Sequence, residues 1–66
     1  MNAVLLKDTI DKSELRPEYF ASCLDISLRT WREKMDGSRD FKLSEVKKLS
    51  KVLGLSDRDV ISIFFK

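Results

Sequence analysis

The sequence predicts a compact all-α domain of five short helices. In five separate stretches, apolar residues recur three and four positions apart, which is the spacing of one face of a helix. Capping and turn residues separate these stretches, and none of them alternates apolar and polar residues as a strand does. The chain has 66 residues, of which 42% are hydrophobic and 36% charged, so it is long enough for one small globular domain.

Apolar spacing and one proline define the first two helices. A first helix is predicted from Asn2 to about Asp11, followed by a connector over residues 12–15. Pro17 suits the first position of the second helix, where its missing N–H removes no hydrogen bond. The second helix, over about 17–24, is supported by four residues at helical spacing: Tyr19, Phe20, Cys23 and Leu24.

A tight turn precedes the third helix. Asp25 is expected in a left-handed backbone conformation, which Asp tolerates better than most residues other than glycine. Ser27 is a favourable N-cap for a helix from Leu28 to about Met35, and Gly37 ends that helix.

The last two helices are bounded by a glycine and by a capping pattern. Residues 43–53 carry apolar residues at helical spacing, and Gly54 closes this fourth helix at its C′ position. Ser56 and Asp59 resemble a capping box, with Asp in place of the usual Glu or Gln. They open a fifth helix with five apolar residues: Val60, Ile61, Ile63, Phe64 and Phe65.

The composition argues against an enzyme, a metal site and a bound cofactor. The chain has one cysteine and no histidine, whereas a zinc site needs about four nitrogen or sulfur ligands and a cysteine nucleophile needs a base. Cys23 is therefore interpreted as a small core residue. Two glycines, Gly37 and Gly54, do not form a phosphate-binding loop pattern.

The N-terminal residues and the charge distribution suggest where the protein acts. No apolar run approaches the ~20 residues of a membrane span, and residues 1–12 do not resemble a signal peptide, so we expect a cytoplasmic protein with no membrane partner. Residues 1–28 contain three basic and five acidic residues, whereas residues 29–51 contain eight basic and four acidic ones. This asymmetry indicates either one surface that faces an anion or charged helix surfaces exposed to solvent.

The second and third predicted helices form a candidate helix-turn-helix, because each has about eight residues and three residues join them. In that unit the second member lies in the major groove of DNA, which admits one helix. Trp31 and Met35 would anchor its rear face. Arg29, Arg32 and Glu33 would face the bases.

The residue types on the front face suit base reading. Arginine pairs with the O6 and N7 acceptors of guanine, and glutamate accepts from the cytosine amino group. Leu28 would touch a thymine methyl group or belong to the core, and Glu33 would read a base or pair with Arg29. The free N–H groups behind Ser27 suit a phosphate, as do Arg16 and Tyr19 at the start of the second helix.

The stretch "YFASCLDISLRTWREKMDG" followed by "FKLSEVKKLSKVLGLSDRDVISIFF" resembles the phage Cro/repressor type of helix-turn-helix proteins, and is most similar to small prophage-encoded members. The resemblance covers Ser13 to Phe65. It implies a lambda-repressor-like fold, with one DNA-binding domain over residues 1–66. Ala21 matches the family's small residue between the two helices, and Ile26 and Trp31 match its apolar positions.

The resemblance also implies roles in DNA binding. Leu28, Arg29 and Glu33 match the family's main base-reading positions, with Arg32 adjacent. Four residues match positions that usually meet the phosphate backbone: Lys34, Ser38, Arg39 and Lys42.

The chain departs from the family pattern at three positions. Asp25 replaces the usual glycine of the turn, and Pro17 replaces a glutamine that often contacts DNA. Lys34 stands where many relatives are apolar, and Met35 takes over that anchoring role.

The fifth helix is a candidate dimer seam. Five of the seven residues in "VISIFFK" are apolar, more than one face of a terminal helix buries, so Ile61, Phe64 and Phe65 are predicted to contact a second copy. The alternative is that Phe64 or Phe65 folds back onto the core. A homodimer would fit a pseudo-palindromic double-stranded operator.

The predicted function is a sequence-specific transcriptional regulator of a bacterial or phage-infected cell. As in Cro-like relatives, it would act as a repressor by occupying its operator. Two alternatives remain: a protein-interaction module that reuses the fold without binding DNA, and an accessory factor in recombination or excision. Three lysines of the predicted fourth helix are expected to form a solvated face and not a DNA contact: Lys47, Lys48 and Lys51.

Overall fold

The computed structural model describes residues 1–65, and over them the chain forms five α-helices and no strand. The helices are α1 (Ala3–Ser13), α2 (Pro17–Leu24), α3 (Leu28–Met35), α4 (Leu43–Leu53) and α5 (Asp57–Phe64). The predicted all-α architecture of five helices is confirmed. Within the described residues, no helix is long and apolar enough to cross a membrane.

The first helix begins and ends later than predicted. Asn2 is its N-cap, and its side chain accepts a hydrogen bond from the Leu5 N–H at 3.0 Å. The helix continues to Ser13, whose hydroxyl donates to the Ile10 carbonyl, and it ends where Glu14 adopts a left-handed conformation with φ 61°. The predicted connector over residues 12–15 is therefore shorter than the sequence suggested.

The turns that set the angles between helices form as the sequence predicts. Asp25 is left-handed, with φ 56°, and the Ile26 N–H beyond it donates to the Ala21 carbonyl at 3.0 Å. Ser27 caps α3 by accepting from the Thr30 N–H at 3.1 Å. At the start of α5, Ser56 and Asp59 exchange two hydrogen bonds of 3.2 Å, which confirms the predicted capping box.

All five helices contribute to one hydrophobic core. Its residues with the most deeply buried large side chains lie on four helices: Leu6, Phe20, Leu49 and Ile63. Trp31 of α3 joins them, with 2% of its surface exposed. The domain measures 28 × 23 × 20 Å. Every helix supplies at least one buried residue to this single core.

A row of aromatic rings crosses the core. The Phe20 and Trp31 rings are stacked, with centroids 5.1 Å apart and planes 7° from parallel. The Trp31 and Phe41 rings meet edge to face with centroids 5.9 Å apart, and the Phe41 and Phe64 rings do so with centroids 5.6 Å apart. The row therefore joins α2, α3, the α3–α4 loop and α5.

The left-handed turn at Asp25 generates a stability prediction. Substituting Asp25→Gly should raise the free energy of unfolding by about 0.5–1 kcal/mol, because glycine adopts this conformation without a Cβ clash. Chemical denaturation followed through the fluorescence of the single tryptophan, Trp31, measures the change. The matched control is Ser22→Gly at an exposed position inside α2, which should lower stability by about 1 kcal/mol. A loss of stability in Asp25→Gly would contradict the prediction.

Candidate nucleic-acid interface

Helix α3 separates a charged face from a buried one. Arg29, Arg32 and the C-cap residue Asp36 are exposed, and they lie three and four positions apart, so they share one face. The opposite side holds Trp31 and Lys34, which are 2% and 5% exposed. The rear of α3 is therefore fixed in the domain while two arginines face solvent.

The residues predicted to hold α3 lie in or against the core. Ala21 and Trp31 are buried, and Ile26 and Met35 are half-buried and packed against the core cluster. Leu28 is also half-buried against this cluster. Of the two roles considered for Leu28, the structure places its side chain at the core, with part of it left exposed beside Arg29.

Lys34 occupies a different place from the one predicted. It was expected to contact phosphate, but its ammonium is buried and donates to Glu45 Oε1 at 2.5 Å and to the Asp40 carbonyl at 3.4 Å. The ammonium also lies 5.8 Å from the centre of the Phe41 ring. The phosphate-contact prediction for Lys34 is wrong, because its charge is enclosed between α3 and the start of α4.

Glu45 performs two tasks at that junction. Besides pairing with Lys34, its Oε1 accepts the Lys42 backbone N–H at 2.8 Å, which caps α4. A full capping box would also need an acceptor on the side chain of the N-cap residue. Lys42 has none, so only the bond from its backbone N–H to Glu45 forms. The sequence contained a partial signal for this arrangement: a glutamate at the third position of α4 and a lysine where an apolar residue was expected.

The ionisation of Glu45 reflects both burial and its partners. Burial disfavours the charged carboxylate, but the hydrogen bonds from Lys34 and from the Lys42 N–H, together with the two nearby positive charges, outweigh it and lower the pKa of Glu45 below its usual value. The Glu45 carboxylate is therefore charged at neutral pH in the folded protein.

The other candidate phosphate contacts lie at the surface. Exposed positions hold Arg16, Tyr19, Ser27, Ser38, Arg39 and Lys42. The Ser27 hydroxyl is engaged locally, since it accepts from the Thr30 N–H and donates to Thr30 Oγ1 at 3.0 Å. A side-chain hydrogen bond with the neighbouring Cys23 thiol raises the pKa of Tyr19 further above neutrality.

Glu33 pairs with a partner that the helical spacing did not suggest. Its Oε1 lies 3.3 Å from Arg39 Nε, in the α3–α4 loop. The pairing with Arg29 considered from the sequence is absent, and within residues 1–65 neither Arg29 nor Arg32 forms a salt bridge. The structure therefore brings Glu33 and Arg39 together and leaves both α3 arginines unpaired within that range.

The three residues of the predicted dimer seam do not share one surface, because two of them are exposed and one packs against the core. Ile61 and Phe65, four positions apart at the end of α5, are 48% and 62% exposed. Phe64 instead turns inward, where its ring meets Phe41. The sequence alternative that one phenylalanine folds back onto the core thus describes Phe64, while Ile61 and Phe65 remain at the surface.

Comparison of the chain with protein-family models, with curated proteins and with solved structures found no match. The arrangement of the chain's own residues is therefore the basis for a functional proposal. That arrangement combines a short helix with an exposed pair of arginines, a buried rear face, and further exposed basic residues just before α2 and in the loop after α3.

The buried Lys34–Glu45 pair predicts that the stabilities of the wild type and of a Lys34 variant change in opposite directions as the pH falls. Substituting Lys34→Met should lower the free energy of unfolding by about 3–5 kcal/mol at pH 7, because the Glu45 charge is left buried without a partner. The double variant Lys34→Met/Glu45→Gln should recover most of the loss, since glutamine keeps the acceptor for the Lys42 N–H and carries no charge.

The pH profile distinguishes loss of the charge pair from loss of side-chain volume. The wild-type pKa of Glu45 is lowered, so the stability it contributes is present above the unfolded value of 4.5 and is lost as the pH falls through the folded value. In Lys34→Met, burial without the ammonium raises that pKa, so this variant should recover stability on acidification. Urea unfolding between pH 7 and pH 3 measures both slopes, and parallel profiles would contradict the prediction.

Proposed function

We propose that this chain is a sequence-specific DNA-binding transcriptional regulator in which α2 and α3 form a helix-turn-helix of the phage Cro/repressor type. The observation that carries the proposal is the division of α3: Arg29 and Arg32 are exposed and free of ion pairs within residues 1–65, while Trp31 fixes the opposite face. A helix held in this way can enter a groove without reorganising.

Helix α3 is the recognition helix of the proposal. Arg29 lies in its first turn, where side chains of such helices reach base edges. A guanidinium that is not already paired can donate two hydrogen bonds to the O6 and N7 atoms of guanine. Asp36, on the same face, disfavours a phosphate at the far end of the helix, so the basic first turns are the part that enters the groove.

Exposed polar residues around α3 supply contacts to the backbone of the duplex. Arg16 and Tyr19 lie at the start of α2, and Ser38, Arg39 and Lys42 lie in the α3–α4 loop or at its end. Contacts of this kind fix the register of a protein on DNA and carry no sequence information. They also make binding weaker as salt concentration rises.

The regulator acts as a homodimer that occupies a two-fold operator and excludes polymerase. A single α3 reads few base pairs, and two copies on one operator add their free energies of specific binding. Ile61 and Phe65 offer an exposed apolar pair on α5 for the second copy. Phe64 packs against Phe41 and the core cluster and is not part of this exposed pair.

Selection of bound duplexes from a random pool, at low and at higher salt, tests the proposal. Two related half-sites with centres about 10 base pairs apart are expected. Salt-sensitive binding without a consensus would contradict sequence-specific recognition. No enrichment at either salt concentration would overturn DNA binding and favour a protein-interaction module.

Arg29 is the most direct test of base reading. Substituting Arg29→Ala should cost about 1–3 kcal/mol of binding to the selected site and relax the preference at one base pair. Fluorescence anisotropy with selected and single-base-variant duplexes measures both effects. The matched control is Arg58→Ala, which removes an exposed arginine from α5 and should leave base preference unchanged. An unchanged preference in Arg29→Ala would contradict the assigned role.

The dimer seam predicts a change in cooperativity. Substituting Ile61→Gln removes exposed apolar surface without adding charge, so two chains should bind a full operator with weaker cooperativity while binding to a single half-site is unchanged. Titrations of one-site and two-site duplexes, with native mass spectrometry for stoichiometry, measure this. Val4→Gln changes a more exposed apolar residue, on α1, and serves as the control. Equal cooperativity in all three proteins would rule out this seam.

A further inference from the structure

The loop between α3 and α4 is fastened to α3 at successive residues. The Ser38 N–H donates to Asp36 Oδ1 at 2.8 Å, and the Gly37 N–H donates to the Lys34 carbonyl at 3.4 Å. Further along the loop, the Asp40 carbonyl accepts from the buried Lys34 ammonium. These contacts hold the loop in one conformation relative to α3.

Arg39 lies in the middle of this loop and is tied to Glu33 twice. Its backbone N–H donates to the Glu33 carbonyl at 3.2 Å, and its Nε lies 3.3 Å from Glu33 Oε1. The Glu33 side chain is 31% exposed and that of Arg39 is 60% exposed. The carboxylate is thus partly covered, while the end of the arginine stays in solvent.

The geometry of the guanidinium determines what remains available. Of its five N–H donors, Nε carries one and the two terminal nitrogens carry four. Glu33 Oε1 lies 3.3 Å from Nε, and within residues 1–65 the guanidinium forms no other salt bridge. A planar pair of free terminal nitrogens matches two oxygens of one phosphate group.

We propose that Glu33 is a positioning residue that holds Arg39 ready for a DNA phosphate, and that it is not a base reader. The inference rests on the proposed DNA-binding function and replaces the base-reading role expected for Glu33. The pairing fixes a long side chain before DNA arrives, so less conformational freedom is lost on binding. A carboxylate this close to phosphate would otherwise only repel the duplex.

The test compares Glu33→Ala, Glu33→Gln and Arg39→Ala on the selected duplex and on an unrelated one. Glu33→Ala should weaken binding to both duplexes by the same factor, about threefold to tenfold, because only the ordering of Arg39 is lost. Glu33→Gln removes the charge that attracts the guanidinium, so it should weaken binding to both duplexes to a similar extent. Arg39→Ala should reduce the slope of the logarithm of the binding constant against the logarithm of salt concentration by about 1, the value for one lost phosphate contact.

A matched control removes the same charge elsewhere. Asp8 pairs with Lys12 at 3.0 Å on the exposed surface of α1, so Asp8→Asn breaks an exposed ion pair far along the chain from the α3–α4 loop. It should leave DNA affinity unchanged or slightly increased. Adding Glu33→Ala to Arg39→Ala should cause no further loss, because the two residues act through one contact.

Three results would overturn the inference. A loss confined to the selected duplex in Glu33→Ala would make Glu33 a base reader. A gain in affinity in both Glu33 variants would reduce its role to repulsion of phosphate. Additive losses in the double variant would separate Glu33 from Arg39.

A measurement on the free protein separates this inference from the proposed function. NMR relaxation of the Arg39 side-chain Nε should show restricted motion in the wild type and greater motion in both Glu33→Ala and Glu33→Gln. If the relaxation of Arg39 Nε is the same in the wild type and in Glu33→Ala while the wild type still binds DNA, the positioning role alone is overturned. A wild-type chain that binds neither duplex at low salt would overturn the DNA-binding proposal and the phosphate role of Arg39, even with the pair present.

Discussion

The stacking of Trp31 on Phe20 is the contact on which the arrangement of the other elements depends. Helices α2 and α3 have eight residues each, and helices of that length are not stable alone in water. The two rings are nearly parallel, with centroids 5.1 Å apart, and their contact packs α2 against α3 next to the tight turn that joins them. Because Phe41 and Phe64 continue the aromatic row, the same contact also fixes the α3–α4 loop and α5, and it decides which face of α3 is exposed.

The Lys34–Glu45 pair complements this apolar contact with a directional one. Replacing a buried ion pair with apolar residues is often neutral or stabilising, so stability alone does not explain it. Its geometry is specific: one carboxylate oxygen serves the Lys34 ammonium and the Lys42 N–H that begins α4. A hydrophobic contact would tolerate sliding between α3 and α4, whereas these hydrogen bonds define one register for the loop between them.

The features that the sequence predicted well are local ones. The conformation of Asp25, the caps at Ser27 and Ser56, and the boundaries of α2 to α4 depend on residues within a few positions, so propensity and spacing suffice. The end of α1 was less predictable, because Glu14 adopts a left-handed conformation that nothing in its type favours. The lambda-repressor-like type of the fold and the roles of the surface residues in DNA binding stay predictions.

The side-chain placements that the sequence did not determine involve partners distant in sequence. Lys34 finds Glu45 eleven positions away, and Glu33 finds Arg39 across a loop when helical spacing pointed to Arg29. Phe64 was indistinguishable from Phe65 until the position of Phe41 was known. In each case the side chain's role is set by the meeting of two elements, which a local pattern does not contain.

The hydrogen bond between the Asn2 N–H and the Ile63 carbonyl, 2.7 Å long, joins the two extremes of the described chain. It encloses almost every residue in one loop, and the entropy cost of closing a loop rises with its length. Docking of α1 against α5 should therefore be among the last events of folding and the first to reverse in native-state hydrogen exchange. A change that displaces the end of α5 should therefore also displace the start of α1, although the two are at opposite ends of the described sequence.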